Sequence, residues 1–156
     1  MDRRARILVV DDDENIRTVF KVNLEDKGYR VDTASNGKDA IRKLIVQQYN
    51  MALIDVRLPD VSGIEILDAV ERYSPTAVKL IVTGFPTMQN AIEAVNSGAD
   101  GYILKPVNIE EFLTIIEDHL ERQQRKERFY EDKVSELIEA KARELQSQLK
   151  FYAPIS

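Results

Sequence analysis

Cysteine is absent from the 156 residues, which excludes a disulfide framework, a thiolate metal site and a cysteine nucleophile. Its absence suits a reducing compartment, so the expected location is the cytoplasm. Long apolar runs are also missing. Behind the charged start Met1 to Arg6, only Ile7 to Val10 precede a block of acids. That run is too short for a secretory leader or a membrane span. Positive charge is in deficit: the formal net charge is −5, which argues against bulk attraction to nucleic acid. Neither a nucleic acid nor a membrane is therefore expected as a direct partner. No Gly-x-x-x-x-Gly-Lys-Ser/Thr stretch exists, which removes a P-loop nucleotide site. What remains, with 44% hydrophobic and 31% charged residues, is a globular chain long enough to bury a core without staples.

Strand-like and helix-like segments alternate over roughly the first 108 residues. Arg6 to Val10 reads as a buried strand that Asp11, Asp12 and Asp13 stop. Ile16, Val19, Phe20 and Leu24 follow at helical spacing, and Gly28 closes that helix. Tyr29 to Ala34 is a second strand, and Asn36-Gly37 turns into a helix bearing Ala40, Ile41, Leu44 and Ile45. Met51 to Asp55 is a third strand, Pro59 to Gly63 a loop, and Ile64 to Val70 a helix. Val78 to Thr83 is a fourth strand, followed by a small-residue helix with Ala91, Ile92 and Val95 as its apolar positions. Gly101 to Lys105 is a short fifth strand, after which Asn108 caps a helix with Glu111 at its third position.

Such alternation predicts an α/β fold with a parallel sheet covered on both faces, and functional sites in such sheets form beyond the carboxyl ends of the strands. Asp11 and Asp12, Asp55, Thr83 and Lys105 all stand at strand ends and are expected to converge. Clustered carboxylates repel, and a hard cation such as Mg²⁺ is the simplest relief. Asp11, Asp12 and Asp55 are the candidate ligands; Asp13, at a helix start, is better placed to cap. A metal and a lysine beside a carboxylate suggest phosphoryl chemistry, with Asp55 as nucleophile and Lys105 and Thr83 taking phosphoryl oxygens.

Four stretches, Ile7 to Asp13, Leu53 to Gly63, Leu80 to Gly84 and Ser97 to Pro106, together resemble a response-regulator receiver domain of two-component signal transduction. The resemblance covers residues 5–120. It implies a flavodoxin-like, doubly wound, five-stranded parallel sheet with helices on both faces, and a sensor histidine kinase that donates its phosphoryl group to Asp55. It further implies that Asp12 and Asp55 hold Mg²⁺ directly, Asp11 largely through water, and that the Arg57 main-chain carbonyl completes the ligands. The Lys105–Pro106 bond is expected to be cis, and Thr83 and Tyr102 to form the switch pair. Arg57 and Phe85 are candidates to tune water access at the mouth of the site. One feature departs from receivers that pair through their fourth and fifth helices with an Asp–Arg ion pattern: Asp100 is present, but Glu111 to Leu120 contains no arginine. The single histidine, His119, reads as a solvated helix residue rather than a phosphorelay histidine.

From Ile109 to Lys150 there is neither proline nor glycine, which predicts a long C-terminal helix. Val134, Ile138, Ala142, Leu145, Leu149 and Tyr152 recur at steps of four or three, near coiled-coil spacing. Residues 121–152 therefore read as a helical extension similar to signalling helices. It is either a coiled coil making a homodimer or a linker to an output module outside this sequence. The rival chemistry is a Mg²⁺-dependent phosphatase that works through an aspartyl-phosphate, of the haloacid-dehalogenase kind. It needs a second acid two residues after the nucleophile, where this chain has Arg57. On the receiver reading the chain is a phosphoacceptor switch and not an enzyme acting on other substrates.

Overall fold

The computed structural model describes residues 5–151. Its elements run β1 (Arg6–Val10), α1 (Glu14–Asp26), β2 (Arg30–Ala34), α2 (Gly37–Val46), β3 (Met51–Ile54), α3 (Gly63–Tyr73), β4 (Val78–Thr83), α4 (Met88–Asn96), β5 (Gly101–Leu104) and α5 (Ile109–Phe151). The five strands form one parallel sheet in the order β2-β1-β3-β4-β5. This is the flavodoxin-like, doubly wound order, so the expected fold class holds. Tyr152, the last residue of the expected extension, lies outside the described residues.

Local chemistry sets the helix starts. Asp13 caps α1 by accepting from Asn15 and Ile16 N–H, at 2.8 and 3.3 Å. Asn36, Ser62 and Thr87 cap α2, α3 and α4, and Asn108 accepts from Glu111 N–H at 3.1 Å. Gly28, at φ 93°, supplies the left-handed residue that closes α1.

Two apolar layers sandwich the sheet. On one face Leu8, Val10, Ile54 and Ile81 pack with Leu44 of α2 and Ile66, Leu67 and Val70 of α3. On the other, Ile7, Val9, Leu53, Leu80 and Val82 pack with Phe20 and Leu24 of α1 and with Phe112, Ile116 and Leu120 of α5. The rings of Phe20 and Phe112 stack with centroids 4.4 Å apart, which ties α1 to α5.

Two sequence expectations need correction. Ile92 and Val95 of α4 do not face the core: they are 52% and 71% exposed, and Ala94 is that helix's buried residue. His119 is half-buried rather than solvated; its Nε2 lies 3.7 Å from where a Cβ on Gly101 would stand. Asp100, which is exposed, accepts from the Lys79 N–H at 2.8 Å through one carboxylate oxygen.

The chain divides into two compact units, the first ending at Leu120 and the second starting at Glu121. Within the second, the helix leaves Phe129, Tyr130, Val134, Leu137, Ile138, Leu145 and Leu149 exposed. Its ion pairs include Lys133–Glu136 and Lys141–Glu144, exposed i,i+3 contacts that contribute little. Among the described residues, no helix is long and apolar enough to cross a membrane.

Truncating Phe112 to alanine removes both the ring stack and a buried side chain. The expected cost is about 3–4 kcal/mol in urea unfolding, with the slope of the transition preserved.

Candidate functional site

The sheet carries its ladder one residue beyond β1, β3 and β5, and this places the site. Asp55 N–H donates to Val10 O at 2.9 Å, Asp11 N–H to Ala34 O at 3.1 Å and Lys105 N–H to Thr83 O at 2.9 Å. Each polar residue is therefore fixed by the backbone at the carboxyl end of an apolar strand. Asp11, Asp55 and Thr83 are 2%, 4% and 0% exposed.

Lys105 joins them. Its Nζ donates to Asp11 Oδ2 at 2.6 Å and to Asp55 Oδ2 at 2.9 Å. The other oxygen of each carboxylate accepts a backbone N–H two residues on: Asp13 N–H to Asp11 Oδ1 at 2.9 Å, and Arg57 N–H to Asp55 Oδ1 at 3.2 Å. The Arg17 guanidinium steadies the same turn by donating to the Asp11 carbonyl at 2.9 Å. Burial pushes the Asp11 carboxyl above the usual carboxylate range, although the Lys105 hydrogen bond and the Asp13 N–H pull it down. Burial also works against the charge on Lys105, but its bonds to Asp11 and Asp55 outweigh that and raise it.

Asp12 is exposed, and its carboxylate comes within 4.8 Å of those of Asp11 and Asp55. Three carboxylates against one ammonium leave the cluster net negative, with Asp12 open to solvent. That donor set suits a hard, oxygen-seeking cation. Asp13 is committed to capping α1, as its position suggested.

Thr83 Oγ1 accepts from Phe85 N–H at 3.2 Å, which turns the chain out of β4. Tyr102 of β5 is half-buried, and its hydroxyl has no hydrogen-bond partner among the described residues. Burial and the charge of Asp55 raise its pKa. Arg57 and Phe85 meet at the ends of their loops, the guanidinium 4.0 Å from the ring centroid. The Lys105–Pro106 bond is cis.

Two supporting residues escaped the sequence reading. A Cβ on Gly63 would stand 2.0 Å from the Asp55 main-chain oxygen, so only glycine lets α3 begin against that backbone. Asp60, read as part of a loop, accepts from Gly37 and Lys38 N–H at 2.8 and 2.9 Å. Those donors hold its carboxyl below the usual range. The Pro59-Asp-Val-Ser-Gly63 segment signals a turn but not what the turn touches.

The response regulator receiver domain family matches residues 7–117 of this chain. The chain belongs to that family. The receiver is 37% identical over 112 residues to the transcriptional regulatory protein ZraR of Klebsiella oxytoca, a match that covers 71% of this chain and 25% of ZraR. It spans between a quarter and about half of the length of the curated relatives that it matches. Among solved structures it resembles a CheY-like receiver domain protein from Methanospirillum hungatei, with TM-score 0.77 and 37% identity over 79% of this chain and 98% of that one. It also resembles the response regulator protein TrrA of Thermotoga maritima, solved in complex with Mg(2+)-BeF, with TM-score 0.66 and 30% identity over 74% of this chain and 98% of that one. Receiver domains are the signalling switches of response regulators.

Lys105→Met leaves the buried carboxylates of Asp11 and Asp55 facing each other without a cation. Stability of the metal-free protein at neutral pH should fall by about 2–4 kcal/mol. Most of that loss should be recovered as the pH drops to about 4, where one carboxyl takes up a proton. Urea unfolding at the two pH values, compared with the wild type, measures this.

Proposed function

We propose that this receiver accepts a phosphoryl group on Asp55 from the phosphohistidine of a sensor histidine kinase, in a Mg²⁺-dependent reaction. The observation that carries the proposal is Lys105 bridging buried Asp11 and Asp55 beside exposed Asp12. A carboxylate oxygen of Asp55 attacks phosphorus while the phosphorus–nitrogen bond to the donor imidazole breaks, and the electron pair stays on the imidazole. Asp11, Asp12 and Asp55, with the Arg57 main-chain carbonyl, would hold Mg²⁺. When bound, that cation neutralises phosphoryl charge. The Mg(2+)-BeF complex of the relative TrrA supports this assignment.

Lys105 already lies 2.9 Å from Asp55 Oδ2, so its ammonium needs only a small turn to donate to a phosphoryl oxygen. The Thr83 hydroxyl donates to a further oxygen. Its oxygen accepts from Phe85 N–H, which leaves its hydrogen free to donate, and Tyr102, whose hydroxyl is unpartnered among the described residues, re-seats with it as the second half of the switch. Arg57 and Phe85, stacked on each other, restrict water near the acyl phosphate and set its lifetime. Residues 5–120 act as the receiver and 121–152 as a helical extension that pairs with a second copy through Val134, Ile138, Leu145 and Leu149. ZraR is named a transcriptional regulator, but most of its length lies outside the match, and no nucleic-acid contact is proposed for this chain.

Incubation with Mg²⁺ and acetyl phosphate should add one phosphoryl group by intact mass, and none in Asp55→Asn or without Mg²⁺. Absence of an adduct under every condition would sink the proposal, and steady turnover of phosphomonoesters would favour a phosphatase instead. For the extension, the 156-residue chain should have the solution mass of a dimer, and a chain ending at Leu120 that of a monomer. Monomers in both cases would remove the pairing role.

A further inference from the structure

The loop from β3 to α3 carries Arg57, and its base is closed by backbone contacts. Arg57 and Ser62 form an antiparallel bridge, and Gly63 N–H donates to Val56 O at 2.8 Å. The tip of the loop is held from elsewhere. Asp60 Oδ1 accepts from Gly37 N–H at 2.8 Å and Asp60 Oδ2 from Lys38 N–H at 2.9 Å. These are the first two N–H groups of α2, which no intrahelical carbonyl can satisfy. The helix's own cap, Asn36, accepts from Asp39 N–H at 2.8 Å and leaves the earlier two for Asp60. A charged acceptor at a helix N-terminus forms the stronger class of hydrogen bond.

The fit is steric as well as polar. A Cβ on Gly37 would lie 2.1 Å from Val61 Cγ2 and 3.2 Å from Asp60 Oδ1, so glycine is what lets the loop reach the helix. The helix, in turn, is anchored in the core by Ala40 and Leu44. The loop tip is thus fastened to a helix packed into the core.

We propose that Asp60 is a positioning residue for the metal site. Its carboxylate clamps the β3–α3 loop to the N-terminus of α2 and so holds the Arg57 main-chain carbonyl ready for the cation. The inference rests on the reading of Asp11, Asp12 and Asp55 as the Mg²⁺ site. Asp60 itself touches neither the cation nor the phosphoryl group. Without the clamp, ordering the loop becomes a cost of cation binding.

Calorimetric titration of the 156-residue chain with Mg²⁺ alone, paired with amide hydrogen exchange at Gly37 and Lys38, tests this. In Asp60→Ala both amides should lose protection and the Mg²⁺ dissociation constant should rise roughly tenfold, the low end for outer supports of metal ligands. Asp60→Asn keeps one acceptor oxygen and should show a smaller rise, which preserves the test if the alanine variant folds poorly. A merely structural role would lower the thermal midpoint and leave the Mg²⁺ affinity of the folded protein unchanged. Unchanged affinity in both variants, or undiminished protection of the two amides, overturns the clamp alone. No Mg²⁺ binding by the wild type, under conditions where it is folded, overturns the metal-site reading and the clamp together.

Discussion

The ammonium of Lys105, shared between Asp11 and Asp55, is the contact on which the rest of the site depends. Two carboxylates at the buried end of a parallel sheet would repel each other and stay under-solvated. One bridging cation makes their approach tolerable, and the Asp13 and Arg57 N–H groups occupy the remaining oxygens. The sheet order brings this about. β1 and β3 are neighbours, β4 follows, and β5 brings the lysine from the edge. Every arm of the bridge is rooted in a strand end that the ladder already holds. The balance is deliberately incomplete in charge: with Asp12 alongside, the cluster remains net negative and open on one side.

Around that fixed centre the supports differ in how firmly their polar atoms are held. Gly63 against the Asp55 backbone, Arg17 on the Asp11 carbonyl and Asp60 on the start of α2 all fix loops. Thr83 and Tyr102 are different. The hydroxyl of Thr83 makes a single modest contact, and that of Tyr102 is buried without a partner among the described residues. An unsatisfied buried hydroxyl costs free energy, so moving the Tyr102 ring would break no hydrogen bond of that group. α4 adds to the contrast, because Met88, Ile92 and Val95 stay exposed and only Ala94 anchors it.

Much of this was legible in the sequence, for a physical reason. Asp11, Asp55, Thr83 and Lys105 each interrupt or end an apolar run, and a parallel sheet brings such ends together. The helix caps at Asp13 and Asn108 were readable for the same local reason, whereas Asn36 read only as a turn. What was hidden depends on contacts between distant segments. The orientation of α4 did not follow from its apolar residues, because Ala94 is small and the larger side chains face outward. The burial of His119 follows from packing beside β5, and the reach of Asp60 to Gly37 spans 23 residues through a missing Cβ. Phe112 was similarly hidden, since its ring stack with Phe20 joins opposite ends of the receiver's sequence.

The central claim is that Asp55, and no other carboxylate of the cluster, takes the phosphoryl group. Borohydride reduction after phosphorylation by acetyl phosphate and Mg²⁺ tests it most directly, because an aspartyl phosphate is reduced to homoserine whereas a free carboxylate is not. Peptide mass spectrometry should find homoserine at position 55 alone. Homoserine at Asp11 or Asp12, or a phosphorylated protein with Asp55 unreduced, would contradict the account.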